Sequence, residues 1–466
     1  MSSTPPDAAK AASAAPATEP PRLLPRAHSA GCSTHMSISA ELPWTAPDAA
    51  FRALAGPGTA FLDSAARDAR GAVSYICLAP EEVLALNDAP YTALRKWMAA
   101  HPQARIPPAW PFAFKGGAVG WLGYDIARQA AGIKSRFAPL PGLPGAWFGL
   151  YTTLLGFDLA ARRLFYLGPQ PRLADIATRL GRPRAPLPLP PLSWTAEMTA
   201  PDHLGRHERL RRYIAAGDVY QANFTLRHTA ARPPGATLPA LHLALRAASP
   251  APFAACIDAG GCGLISASPE RFIRLDGDGR VETRPIKGTA ARAADPEHDQ
   301  AAACALAINP KERAENLMIT DLLRHDLGQV CATGSIAVPE LCAVESYAQA
   351  HHLVSAVTGR LRPGLDVFDL LAATMPGGSI TGAPKYRAMQ IIDELELGPR
   401  GAYCGIIAWI GFDGAMDSSI IIRTITATPD RLYAQAGGGI TWDSSAPDEY
   451  EEAMLKIAPL LALGQV

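Results

Sequence analysis

The sequence predicts an α+β fold with largely antiparallel sheets. Strand-like segments arrive in adjacent runs, at 263–267 then 271–275, and at 419–426 then 431–436, with another at 406–412. Helical patterns stand apart from them, at 204–216, 311–323, 384–395 and 448–461. The strict strand–helix alternation of a doubly wound parallel sheet is missing.

In chain order, residues 1–38 are rich in Ala, Pro and Ser, have little apolar periodicity, and read as a disordered tail. They contain no apolar stretch of the kind a secretory signal needs. Residues 39–181 form an N-terminal subdomain of short β-like runs broken by Gly and Pro, such as 118–124 and 149–155. Residues 182–200 form a linker, because the prolines between Pro183 and Pro191 enforce an extended chain. Residues 201–466 are denser in motifs and form the expected catalytic region.

Composition bounds the partners. The 466 residues carry 43 basic and 43 acidic side chains, a formal net charge of zero. Nucleic-acid and membrane-surface binders need a basic excess, so neither partner is expected. No apolar run reaches the roughly 18 residues of a membrane span. The cysteines at 32, 77, 256, 262, 304, 331, 342 and 404 include no Cys-x-x-Cys pair. A zinc or redox centre is therefore not expected, and buried reduced thiols in a cytoplasmic protein are.

Several motifs carry candidate chemistry. Lys287 lies in Arg284-Pro285-Ile286-Lys287-Gly288-Thr289, between an apolar residue and a glycine. It is either a strand-end surface charge or a desolvated amine nucleophile. Glu270, in Ser268-Pro269-Glu270-Arg271, starts an apolar strand; burial would suit it to general acid work, and a salt bridge is the alternative. Glu312 with Glu315, and Glu449 with Glu452, are carboxylate pairs three residues apart on two helices. Such spacing places both acids on one face. Opposed, the two faces would offer hard oxygen ligands to Mg2+, whereas alone each is an ordinary wet face, Glu452 with Lys456 being a salt-bridge spacing. The loop from Met375 to Lys385 contains Ser379, Thr381 and Gly382 and runs into a helix, with Pro384 in its first turn. It lacks the Lys-Ser/Thr of a nucleotide-phosphate loop, so it is a carboxylate site or a structural turn. Gly437-Gly438-Gly439 marks a close approach by a ligand or another segment. Arg423 sits in an apolar strand-like run, where a charge needs an anionic partner.

Taken together, Gly217 to Asn223, Ser268 to Arg271, Pro285 to Thr289, Glu315 to Met318, Arg324 to Gly328, Gly377 to Lys385 and Glu449 to Lys456 resemble the chorismate-utilising enzyme family. The resemblance is strong over 200–460 and weak over 40–180. It implies two facing, largely antiparallel sheets flanked by helices. It implies Mg2+ held by Glu315 and Glu452, with Glu312 and Glu449 beside them. Tyr403 and Arg423 match positions that hold the enolpyruvyl carboxylate of chorismate. Ser379 and Gly439 match loop positions near the substrate, and Thr381, Gly382 and Lys456 are expected to bind it with them. His352 matches a histidine near the reacting ring.

Two positions bear on the reaction. Isochorismate and salicylate synthases carry a water-activating lysine where this chain has Gln221. Anthranilate synthases typically carry Ala where this chain has Lys287. The Pro-Ile-Lys-Gly-Thr form resembles the aminodeoxychorismate synthases, in which a lysine adds at C2 and ammonia then enters at C4. That resemblance places the chain in p-aminobenzoate and folate synthesis; amination at C2, as in anthranilate synthases, is the alternative. Two departures occur. Arg324-His325-Asp326 replaces Arg-Asn-Asp, and 60–64 stands where anthranilate synthases carry a tryptophan-feedback element. No Gly-x-Cys-x-Gly elbow is present and no fused glutaminase is expected before Val466, so nitrogen is expected from a separate glutamine amidotransferase subunit.

Overall fold

The computed structural model describes residues 37–465 apart from 66–71, 102–106, 183–184 and 348–349. The expected tail over 1–36 lies outside the described residues, while Ser37 and Ile38 open the first strand, Ser37–Leu42. Two large antiparallel sheets, of twelve and ten strands, form the centre. At the heart of the first, Ala60–Asp63, Phe253–Asp258, Gly263–Ser268, Thr424–Ala427, Arg431–Ile440 and Gln221–Ala231 lie side by side in that order. The second runs Ile286–Ala291, Ala350–Arg360, Arg280–Thr283, Arg271–Leu275, Met416–Ile420, Ile406–Gly411 and Gly117–Leu122, continuing to Ala146–Tyr151 and Glu82–Leu86.

Strand periodicity explains why the sheets face each other. In Phe253–Asp258, Ala255 and Ile257 join an apolar layer shared with Val119, Trp121, Trp147 and Ile407 of the other sheet. Ala254 and Cys256 point the opposite way, into a core closed by the outer helices. Alternate residues face opposite sides of a strand, so this strand is apolar on both faces. Each sheet also takes strands from both sides of the proline-rich stretch: Phe61 pairs with Cys256, and Val119 with Trp409.

The chain crosses from one sheet to the other in the middle of apolar runs. The run read as one strand at 149–155 is two, Ala146–Tyr151 in the second sheet and Leu154–Asp158 in the first. The run at 419–426 likewise divides into Met416–Ile420 and Thr424–Ala427, and Arg423 turns the corner in the left-handed region at φ 49°. Pro269 and Glu270 make a third crossing, between Gly263–Ser268 and Arg271–Leu275. The first two corners give no periodic signal because both sides are apolar, and at the third the sequence separates the two strands without showing that they belong to different sheets.

Smaller differences follow from local geometry. Pro384 precedes the helix Lys385–Leu395 as its N-cap, one residue before the first turn. Cys404 occupies a turn at φ 64°. Cys77, Cys256, Cys331, Cys342 and Cys404 are buried free thiols, Cys262 is half-buried and Cys304 is exposed. Among the described residues no helix is long and apolar enough to cross a membrane.

Candidate active site

The two crossing corners at Glu270 and Arg423 open onto one cavity of about 560 Å3. Lys287, Glu270, His352, Ser379, Tyr403, Arg423, Gly439 and Lys456 all line it, together with Glu312, Glu315, Glu449 and Glu452. Lys287 reaches it from Ile286–Ala291, whose register against Ala350–Arg360 shifts between Lys287 and Thr289. Gly288 takes φ 79° at that shift, and a Cβ there would sit 3.0 Å from Glu312 Oε2. The glycine therefore brings the lysine strand against the acid-bearing helix.

The Lys287 ammonium lies 3.5 Å from the carbonyl oxygen of Ser379, a loose contact. Glu270 is buried, and burial pushes its carboxyl up to about 7 against the opposing pull of Lys287, the Ile286 amide, Lys456 and the Ser379 hydroxyl. A lysine and a buried carboxyl thus share one wall. His352 Nδ1 lies 3.0 Å from Thr289 Oγ1.

The acids come from helices Pro310–Gly328 and Ala446–Leu461. The first is started by Asn309, whose side chain accepts the Glu312 amide, with Pro310 following. Buried Asn316 donates to Leu353 O at 3.0 Å and fixes the helix against the second sheet, setting the direction of Glu315. The second helix approaches Arg431–Ile440 at the glycine run. A Cβ on Gly438 would lie 2.8 Å from Glu449 Oε2. Lys311 bridges the helices, its Nζ 3.9 Å from Glu449 Oε1.

Burial raises the Glu315 carboxyl, and Glu312 and Glu449 push it the same way against Lys287 and Lys311. Burial also raises Glu449, with Glu452 adding to the effect and the Ser444 hydroxyl opposing it. For Glu452 burial acts upward but is outweighed, chiefly by Lys456 at 2.7 Å, so its carboxyl stays low. Among the described residues no three His, Cys, Asp or Glu side chains converge as a preformed metal cage. Mg2+ does not require one, since it keeps several waters and binds through one or two carboxylates plus substrate oxygens. Four mutually repelling acids on one cavity wall are hard donors that suit this ion.

Arg423 is mostly buried, and desolvation pulls its guanidinium down. Among the described residues no carboxylate lies within ion-pair reach of it. A buried cation without an internal anion is the natural seat for an anionic ligand. Lys456 also donates to Gly437 O at 3.1 Å.

Thr381 and Gly382 do not line the cavity. Thr381 is wholly buried, its hydroxyl donating to Gly377 O at 2.8 Å and its carbonyl accepting from Asn223 N at 2.7 Å. Gly382 pairs with Ala222 as a sheet edge. They hold the loop's backbone, and only Ser379 and Ile380 of that loop reach the cavity wall. Lys385 is drawn away to buried Asp326, at 2.6 Å, which gives the Arg324-His325-Asp326 stretch a structural role. Sequence reasoning missed Asn223, Gln435 and Lys311 as lining residues. Gln435 is a polar side chain between alanines just before the glycine run, a signal that could have found it, whereas Asn223 lies on a strand with several other polar residues and carried none.

The profile of the chorismate binding enzyme family matches residues 56–462. The chain belongs to the chorismate-binding enzyme family. Among relatives in it, the chain is 44% identical over 365 residues to aminodeoxychorismate synthase component 1 of Klebsiella aerogenes, covering 78% of this chain and 80% of that protein. It is 41% identical over 351 residues to the same component of Escherichia coli K12, covering 75% and 77%. It is 36% identical over 490 residues to anthranilate synthase component 1 of Streptomyces coelicolor, covering 98% and 94%. The structure resembles anthranilate synthase component I of Streptococcus pneumoniae at a TM-score of 0.73 and 30% identity, over 83% of this chain and 91% of that one. The isochorismate synthase MenF of Escherichia coli has the same fold, at a TM-score of 0.71 and 16% identity over 92% and 94%. The chorismate-binding chain also keeps a second cleft, of about 240 Å3, lined by Asp63, Ser64, Arg271 and Asp417, away from the acids and Lys287.

Proposed function

We propose that the chain is component 1 of an aminodeoxychorismate synthase, aminating chorismate at C4 in the route to p-aminobenzoate and folate. The observation that carries this reading is Lys287 beside the raised carboxyl of Glu270 in the cavity. In its unprotonated form the Lys287 amine attacks C2 of chorismate, both ring double bonds shift by one position, and the C4–O bond breaks. Glu270 gives its proton to the departing hydroxyl, which leaves as water. Ammonia then forms a bond to C4, the double bonds return, the C2–N bond breaks to regenerate Lys287, and the proton that the new ammonium sheds restores Glu270. Arg423 and Tyr403 grip the enolpyruvyl carboxylate, and His352 flanks the ring. Ser379, Gly439 and Lys456 border the substrate. Glu315 and Glu452, with Glu312 and Glu449 beside them, would hold Mg2+, which when bound supplies a Lewis-acid grip on the ring carboxylate.

The test is product identification by mass and ultraviolet spectrum after purified chain, chorismate and Mg2+ are supplied with ammonium or with glutamine. The expected result is 4-amino-4-deoxychorismate from ammonium, and from glutamine only after a separate glutaminase subunit is added. Anthranilate as the product would replace this reading with C2 amination, which the 36% likeness spanning 98% of the chain favours. Glutamine use by the chain alone would overturn the separate partner.

Two further results follow. Because Glu270 must carry its proton, kcat/KM for chorismate is expected to fall as pH rises through about 7. The sign follows from a raised carboxyl: the protonated form dominates below that pH and is lost above it. Glu270→Gln should lower the rate by on the order of 100-fold and remove that limb. A retained limb would assign it to another group. Arg423→Gln should weaken chorismate binding by about 1.5–3 kcal/mol, the range for hydrogen bonds to a charged group, read by calorimetry. It should leave the melting temperature unchanged or higher, since it removes an unpaired buried charge. A lower melting temperature with unchanged affinity would make Arg423 structural.

A further inference from the structure

Behind the wall of this cavity lies a buried arginine that is not among its lining residues. Arg400 follows the helix Lys385–Leu395 in Gly398-Pro399-Arg400-Gly401, and its side chain is about 1% exposed. Its Nε and Nη2 donate to the Glu396 carboxylate at 3.0 and 2.7 Å. Nη1 donates to Ile380 O at 2.8 Å and Nη2 to Asn223 O at 2.6 Å. The Tyr124 ring covers the guanidinium, 4.7 Å from its central carbon. The backbone of the same residue is also used: Arg400 O accepts from Tyr403 N at 3.1 Å and from Gln435 Nε2 at 3.4 Å.

Ile380, Asn223, Tyr403 and Gln435 come from four separate stretches of chain, and all four line the cavity. Ile380 is also joined to Ser379, whose carbonyl meets Lys287 and whose hydroxyl bonds Glu270. One residue therefore ties together four parts of the cavity wall, Ile380 and Asn223 through its planar fork and Tyr403 and Gln435 through its backbone carbonyl. Glu396 holds the fork's remaining edge and is itself held by the Thr225 amide and hydroxyl, at 3.1 and 2.7 Å. A buried ion pair adds little net stability, whereas a fixed fork with several acceptors gives geometric precision.

We propose that Arg400 is a positioning residue for the chorismate reaction, setting the Ser379–Ile380 turn, and through it Lys287 and Glu270, from outside the cavity. The chemistry it serves is that of the proposed function, but its effect is readable on whatever product the wild-type chain forms from chorismate. A lysine keeps the charge and loses the fork, so it cannot hold Ile380 O, Asn223 O and Glu396 together.

The test compares Arg400→Lys and Glu396→Gln with wild type, measuring folded fraction by circular dichroism and the pH profile of kcat/KM. Arg400→Lys is expected to lower kcat/KM per folded molecule by on the order of 100-fold, the loss that a misplacement of about 1 Å produces. Glu396→Gln loosens the fork while keeping its shape, and a smaller loss is expected. In both, the high-pH limb should move to higher pH, because a displaced Ser379 hydroxyl no longer stabilises the Glu270 carboxylate facing Lys287 and Lys456. A structural role alone would not move that limb. Should Arg400→Lys fail to fold, Glu396→Gln decides by the same limb. Activity lost only in proportion to folded fraction, with the limb unmoved in the folded variant, would overturn the proposal. So would a folded Arg400→Lys with wild-type kcat/KM. If wild type makes anthranilate instead, the amination assignment fails and the Arg400 comparison still stands.

Discussion

Lys287→Ala is expected to lose C4 amination of chorismate by on the order of 1,000-fold, about 4 kcal/mol of barrier. The residue lines the cavity at a register shift, with Glu270 on the same wall. Removing a covalent nucleophile removes a step that no neighbouring group can supply in the same place. Lys456 also lines the cavity, but its ammonium is held by Glu452 and Gly437 O. Residual turnover should drift toward C2 chemistry. The measurement is chromatographic quantification of both products with ammonium as donor, and a melting curve shows that the variant is folded. Undiminished 4-amino product would end the covalent role and leave Lys287 an electrostatic one.

Glu315→Gln and Glu452→Gln should each weaken Mg2+ binding by at least about tenfold, or about 1.4 kcal/mol. The expected loss of turnover at limiting metal is of the same size or larger. Glu315→Gln removes a buried charge that neighbouring acids repel, so the fold should stay intact or gain stability, whereas Glu452→Gln gives up the ion pair with Lys456 on a half-exposed surface and should leave the fold intact with little change in stability. Isothermal titration with Mg2+, with and without chorismate, gives the decisive comparison. An ion that takes few protein ligands should bind more tightly once substrate oxygens are present, and chorismate should bind more tightly with the ion, by the same factor. Titrations in which neither ligand affects the other, together with activity that survives excess chelator, would make the four acids structural. Glu315 is the more informative of the two, because its carboxyl is the one that burial and both neighbouring acids raise, whereas Glu452 is already compensated by Lys456.

The sequence by itself determined the pieces whose physics is local. Acids three apart on a helix share a face whatever surrounds the helix, so the pairs Glu312/Glu315 and Glu449/Glu452 were legible, and all four line the cavity. Lys287 before a glycine and Arg423 in an apolar run stood out because a charge is out of place there. The antiparallel class followed from strands arriving in adjacent runs. Only the tertiary structure decided where the chain leaves one sheet for the other. Arg423 and Glu270 stand at such corners: no change of period marks the crossing at Arg423, because its run is apolar on both sides, and the break at Pro269 separates two strands without showing that they lie in different sheets. It also decided which loop residues face inward. Thr381 and Gly382 belong to the same glycine-rich motif as Ser379, yet their groups are taken up by sheet edge and turn bonds. Arg400 carried no local signal, since an arginine after Gly-Pro reads as a surface turn. Its burial depends on Glu396, Tyr124, Ile380 and Asn223, which meet only when the two sheets and the helix Lys385–Leu395 close around it. A buried charge is stable only where its partners have been assembled.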